Sequence, residues 1–182
     1  MRPSRLATAF LLAAIPLAAS AAGKTVCHDG GRYRVVAKAT ESVGTDLLVK
    51  YTGRGRSIPA CRYVVREGDF EIRNEKAEYF LGLQGALLIL DSGTAPEPRG
   101  LIVWDLEKRQ KVFTGTYSPP YSIDAAGMRF WAQSGEATDA NCPQAAGWRA
   151  SGLGAALETE TTLNFVDLSL TPSANTRCSA RQ

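Results

Sequence analysis

Four arginines in the first third of the chain give the strongest indication of a binding site. Arg54 and Arg56 belong to a Gly-Arg-Gly-Arg tract, and Arg62 and Arg66 follow in a segment that is expected to form a strand. Residues four apart on a strand face the same side, so Arg62 and Arg66 would lie together. Guanidinium groups bind phosphate, sulfate or carboxylate through paired hydrogen bonds. These arginines therefore predict a site for an anionic ligand.

The distribution of charge supports the same prediction. Residues 24–66 contain nine basic and three acidic side chains, whereas residues 67–182 contain ten basic and fifteen acidic ones. A basic segment of this kind favours an anionic partner, such as a lipid head group, an acidic glycan or another exported protein. Residues 23–182 have nearly equal numbers of basic and acidic side chains, and the sequence has no nucleic-acid-binding motif. Both observations argue against nucleic acid as the partner.

A single Asp-Ser-Gly-Thr turn begins at Asp91, directly after an apolar run. The stretch LILDSGTA (residues 88–95) is similar to the catalytic loop of aspartic proteases, in which the aspartate shares a proton with a second aspartate. This resemblance implies a homodimer with Asp91 as the catalytic residue, because the chain carries one such motif. The alternative is a turn in which the Asp91 carboxylate accepts hydrogen bonds from nearby backbone N–H groups.

Other groups with catalytic or ligand-binding chemistry are few. His28 is the one histidine of the chain and is expected to be exposed beside Cys27. A Ser-His-Asp triad or a histidine-based metal site would have to use it. No cofactor motif is found, and we expect neither a cofactor nor a metal. Trp148 is expected to be the most exposed tryptophan and could stack against a ligand.

The N-terminal residues have the pattern of an export signal. Arg2 and Arg5 precede an apolar run over residues 6–19, and small residues follow. This order predicts a signal peptide over residues 1–22, because the apolar run is too short for a membrane span. Residues 23–182 would then form one domain in the periplasm or outside the cell, without crossing a membrane. The sequence does not indicate an oligomeric state.

The cysteines agree with an exported protein. Four are present, Cys27, Cys61, Cys142 and Cys178, and an even number is typical of a disulfide framework. Four cysteines allow three pairings, which the sequence alone leaves open. Proximity along the chain favours Cys27 with Cys61 and Cys142 with Cys178. Such bonds persist in an oxidising compartment.

Short apolar segments at regular spacing predict a mainly β fold, an antiparallel sandwich, barrel-like sheet or meander of about eight strands. The strands of residues 86–117 are expected to form the centre of the sheet, and residues 61–66 a further strand. Pro119 and Pro120 are expected to end the strand that precedes them. A short helix is predicted from Pro143 to Ala150, because proline suits the first turn of a helix.

These observations favour a non-catalytic binding or inhibitory module whose specificity the sequence does not give. One alternative is a dimeric aspartic-type hydrolase that uses Asp91. Another is a structural component of the cell envelope with no soluble ligand. Catalysis is the less favoured class, since the chain has one histidine and one Asp-Ser-Gly-Thr motif.

Overall fold

A computed structural model describes residues 23–53 and 60–182. The predicted signal peptide, Arg54 and Arg56 lie outside these described residues. Within them the chain forms two antiparallel sheets, one short helix and two disulfide bonds. The predicted mainly β fold is confirmed. The described part has eleven strands rather than about eight.

The N-terminal sheet has four strands, which are paired in chain order. They are β1 (Thr25–Gly30), β2 (Tyr33–Ala39), β3 (Thr45–Tyr51) and β4 (Phe70–Ile72). Three alternate residues of β2, Tyr33, Val35 and Ala37, belong to the first hydrophobic core. Val36 points to the opposite, outer face and is also fully buried. Another segment of the protein must therefore cover the outer face of this sheet.

The second sheet is a meander of seven strands in the order β11 to β5. They are β5 (Glu78–Gln84), β6 (Leu87–Ser92), β7 (Arg99–Asp105), β8 (Gln110–Ile123), β9 (Gly127–Glu136), β10 (Gly154–Asn164) and β11 (Leu170–Arg181). The helix α1 (Ala145–Ala150) lies between β9 and β10 in the chain, where a helix was predicted.

Strand β6 lies between two hydrophobic cores, which explains its continuous apolar sequence. Leu88 and Leu90 pack in the core shared with the four-stranded sheet. Ile89 points the other way, into a core with Met128 of β9 and Leu163 of β10. All five of these side chains are fully buried. A strand that is buried on both faces needs apolar residues at every position rather than at alternate ones.

The prediction that Pro119 and Pro120 end a strand is wrong. Strand β8 runs through both prolines, but it changes its neighbour at this point. Its pairing with β7 ends at Tyr117, and its irregular pairing with β9 begins at Ser118. Proline cannot donate a hydrogen bond to a sheet, and it is tolerated where the pairing is irregular. The bend brings Ser118 and Pro119 towards β10 and β11.

The prediction of a strand at residues 61–66 is also wrong, since these residues form no strand. The edge of β3 is occupied by β4 instead. Residues 60–69, which we call the covering segment, are attached to the outer face of the four-stranded sheet. The Cys27–Cys61 disulfide holds one point, and the Lys50 ammonium, which donates to the Val64 carbonyl at 2.7 Å, holds another. This attachment accounts for the burial of Val36 on that face.

The cysteine pairing favoured by proximity is confirmed. Cys27 is bonded to Cys61, and Cys142 to Cys178, with Cα–Cα distances of 5.8 and 5.7 Å. The first bond fixes the covering segment to β1. The second joins the segment before α1 to β11, beside a small core that contains Ala145.

Candidate functional site

A basic groove lies between the covering segment and the hairpin of β1 and β2. Its volume is about 480 Å³. Three cationic side chains line it, those of Lys24, Lys38 and Arg62, together with Thr25 and Tyr63. No acidic residue is among the described residues that line it. We call this cavity the basic groove.

The open end of the first hairpin contributes both lysines to the groove. Thr25 of β1 is directly opposite Lys38 of β2, and Lys24, one residue earlier, is opposite Ala39 where the hairpin ends. The Lys24 carbonyl accepts a hydrogen bond from the Ala39 backbone N–H at 3.3 Å, which closes this end. The Lys38 ammonium lies 5.5 Å from the centre of the Tyr63 ring, a cation–π contact.

The Cys27–Cys61 disulfide holds Arg62 at the groove. This arginine follows Cys61, and its backbone N–H donates to the Ala60 carbonyl at 2.8 Å, so the local chain is turned tightly. Burial raises the pKa of the Tyr63 hydroxyl, which therefore stays protonated in the neutral range. The groove thus presents two ammonium groups, one guanidinium group and one phenol ring.

The cations of the groove differ from most others in the protein because they have no carboxylate partner. Among the described residues, Lys24, Lys38 and Arg62 form no ion pair. By contrast, the buried Lys50 ammonium is paired with Asp69 at 2.8 Å. Three like charges around one cavity repel one another, and a bound anion would relieve that repulsion.

The structure distributes the predicted ligand-binding residues over different places. Arg62 lines the basic groove, whereas Arg66 is exposed on the covering segment and does not line it. Because no strand forms there, the expectation that Arg62 and Arg66 share one strand face is wrong. Trp148 is partly buried on α1, where it packs against the small core around Ala145, and it does not line the groove.

Sequence reasoning missed Lys24 and Lys38. Their proximity depends on the register of β1 against β2, which pairs Gly30 with Tyr33 across the turn. The Gly30-Gly31 pair was the available signal, because glycine at a turn with positive φ marks a tight hairpin. Gly31 has a φ of 58°. Counting back from that turn along both strands would have placed Lys38 opposite Thr25.

Asp91 is paired inside the protein. Its carboxylate accepts a hydrogen bond from Arg99 Nε at 2.8 Å and another from the Tyr117 hydroxyl at 3.0 Å. The residue is 8 % exposed. These partners are side chains of β7 and β8, so the alternative expectation, in which local backbone N–H groups satisfy this carboxylate, does not describe the arrangement. A carboxylate held by a guanidinium has the contacts of a structural ion pair.

Replacing Asp91 with asparagine is expected to lower the free energy of unfolding by about 1–3 kcal/mol, because the partly buried Arg99 loses its charged partner. Chemical denaturation monitored by circular dichroism would measure the loss. Glu41→Gln removes one carboxylate from an exposed turn and serves as the control, with an expected change within about 0.5 kcal/mol. Equal stability of the two variants would contradict a structural role for the Asp91–Arg99 pair.

His28 is partly buried, so the expectation that it is exposed is wrong. Its ring stacks on Phe80 of β5, with 3.5 Å between the ring centres and 7° between the planes. This burial lowers the pKa of His28, and the neighbouring Asp29 carboxylate opposes the effect. Among residues 23–53 and 60–182, no group of three or more His, Cys, Asp or Glu side chains is arranged to hold a metal ion.

In comparisons with known proteins, no family model, no curated protein and no solved structure matches the chain. In the described part of the chain, none of the helices has the length and apolar character to cross a membrane. The geometry of this protein is therefore the basis for its functional assignment.

Proposed function

We propose that this protein is an exported, non-catalytic module that binds an anionic ligand through the basic groove. The observation that carries the proposal is the set of three cations, Lys24, Lys38 and Arg62, around a cavity of about 480 Å³ whose lining, among the described residues, contains no carboxylate. Exposed cations elsewhere in proteins are commonly spread over a surface. Here they converge on a concave site, where their fields add.

The chemistry of the groove favours phosphate, sulfate or carboxylate groups as ligands. Ammonium groups supply point charges, and the guanidinium of Arg62 can donate two parallel hydrogen bonds to one oxyanion. The Tyr63 ring supplies an apolar surface beside these charges. The two disulfide bonds are compatible with an extracellular or periplasmic site of action. Lipid head groups, acidic glycans and acidic exported proteins all offer the required anion.

The test is the triple substitution Lys24→Ser, Lys38→Ser and Arg62→Ser, with dextran sulfate as the probe. Exposed charge contacts contribute roughly 0.2–1 kcal/mol each, so loss of all three should weaken binding by about tenfold at low salt. Binding by the unaltered protein should weaken as salt screens the charges. Isothermal titration calorimetry over a salt series measures both effects.

The matched control is the triple substitution Lys76→Ser, Lys111→Ser and Arg129→Ser. It removes the same charge from exposed sites outside the groove, and Lys111 has its own cation–π contact with Trp104 at 5.6 Å. The control should retain most of the binding. An equal loss in both variants would show that net charge alone attracts the polyanion, and the groove would then have no specific role.

A further inference from the structure

A second cavity lies at the other end of the four-stranded sheet, and the basic groove does not extend to it. Its volume is about 300 Å³. Tyr33 of β2 and Tyr51 of β3 are directly opposite each other and line it. The remaining lining includes Phe70 and three charged side chains, those of Arg32, Glu107 and Arg109. We call this cavity the aromatic cleft.

The aromatic side chains of the cleft leave apolar surface open to a ligand. Tyr51 is 50 % exposed, so about half of its side chain is open to a ligand. Its ring contacts Tyr33 in an edge-on arrangement, with 5.5 Å between the ring centres. Phe70 lies deeper and is partly buried, and the guanidinium of Arg109 stands 5.3 Å from its ring centre.

Each charged group of the cleft has a partner within the protein, and two of these groups still have open hydrogen-bonding positions. Arg32 is paired with Glu107 Oε1, and both side chains are about half exposed. Arg109 Nη2 donates to the Gly68 carbonyl at 2.8 Å, which fixes its guanidinium. Among the described residues, Glu107 Oε2 and the other N–H groups of Arg109 have no hydrogen-bond partner. A donor and an acceptor are thus both available.

This combination makes several classes of ligand less favourable. Two guanidinium groups repel a cationic ligand, so the aromatic rings cannot serve as a cage for an ammonium group. For a phosphate or sulfate group the cleft is a weaker site than the basic groove, because Glu107 neutralises Arg32 and leaves one guanidinium, that of Arg109, without a carboxylate partner. An apolar side chain would leave the open polar groups without partners, which costs free energy. A ligand with an apolar face and several hydroxyl groups satisfies all of these conditions.

We propose that the aromatic cleft binds one sugar ring of a glycan. The C–H face of a pyranose packs on the exposed Tyr51 ring, and adjacent hydroxyls meet the planar groups of Glu107 and Arg109, each of which can form two hydrogen bonds. The cavity is at the lower end of the range for small-molecule sites, roughly 300–1,000 Å³, which suits a single ring. The site is independent of the basic groove.

The experiment titrates the oxidised, ¹⁵N-labelled protein with maltotetraose and with chitotetraose, and follows the amide shifts by NMR. We expect saturable shifts at Tyr51 and Arg109 with at least one of these sugars. Tyr51→Ala should weaken binding at least about tenfold, and Tyr51→Phe should retain most of it because the ring remains. Glu107→Gln should also weaken binding, since the amide replaces one acceptor by a donor.

Two controls separate the cleft from other surfaces. Tyr121→Ala removes a second exposed tyrosine, on β8, and should leave sugar binding unchanged. The triple serine variant of the basic groove should also bind sugar normally, so failure of either site is distinguishable from failure of the other. The proposal is overturned if neither sugar shifts the cleft amides up to its solubility limit. It is equally overturned if Tyr51→Ala binds as tightly as the unaltered protein.

Discussion

Glu158→Gln is expected to lower the free energy of unfolding by about 3–5 kcal/mol, the cost of removing one partner from a buried ion pair. Glu158 is completely buried on β10. Its carboxylate accepts hydrogen bonds from Arg177 Nε at 2.7 Å and from Arg181 Nη2 at 2.5 Å. The uncharged amide leaves two guanidinium groups of β11 without their shared counter-charge. Urea denaturation of the two proteins measures the loss.

The effect should be large because the network joins distant parts of the chain. Arg181 also pairs with Glu97, at 3.0 Å, in the loop between β6 and β7. Arg177 donates to the Pro119 carbonyl at 2.7 Å, at the bend of β8, and its guanidinium lies 4.5 Å from the centre of the Trp131 ring. Loss of the Glu158 charge therefore disturbs the contacts of the β6–β7 loop and of the bend in β8, as well as the β10–β11 pair.

The same carboxylate gives this prediction a pH dependence. Burial alone would raise the pKa of Glu158, but hydrogen bonds from Ser118, Arg177 and Arg181 outweigh it, and the pKa lies below the ordinary value of 4.5. A group whose pKa is lower in the folded state stabilises the fold above the unfolded pKa and loses that contribution as the pH falls through the folded pKa. The difference in stability between the two proteins should therefore shrink in acid.

Glu160→Gln is the matched control, two residues further along β10. Glu160 accepts a hydrogen bond from the Asn175 side-chain amide at 2.8 Å and forms no ion pair among the described residues. Its replacement should change the free energy of unfolding by less than about 1 kcal/mol. If Glu158→Gln is as mild as this control, the buried network does not stabilise the fold as we expect.

Much of the fold could be predicted because its determinants are local. Alternation of apolar and polar residues identifies β2, and the run of apolar residues identifies β6. The disulfide pairing could be predicted because each cysteine is bonded to the cysteine next to it in the sequence, 34 and 36 residues away. These signals need no knowledge of how the two sheets pack.

The parts that could not be predicted depend on which strand pairs with which, and in what register. Residues 61–66 have the composition of a strand, but three residues of β4 occupy the edge of β3 that such a strand would need. The charge partner of Asp91 is Arg99, which only the register of β6 against β7 brings near. Likewise, the basic groove depends on Lys38 being opposite Thr25.

The double substitution Cys27→Ala and Cys61→Ala is expected to have two effects. Removing a cross-link across 34 residues should lower the free energy of unfolding by about 3–4 kcal/mol, because the unfolded chain gains conformational entropy. It also releases the covering segment from β1, so Arg62 is no longer held beside Lys24 and Lys38. The folded variant should therefore lose much of its affinity for dextran sulfate, as measured by calorimetry below its thermal midpoint.

Removal of the other disulfide, by Cys142→Ala and Cys178→Ala, is the control that separates these effects. Its cysteines are 36 residues apart, so a similar loss of about 3–4 kcal/mol is expected. The bond joins the segment before α1 to β11, and the basic groove should stay assembled. Only the first variant should then lose the polyanion. If both variants bind dextran sulfate as the unaltered protein does, the Cys27–Cys61 bond is not needed for anion binding, which contradicts this prediction.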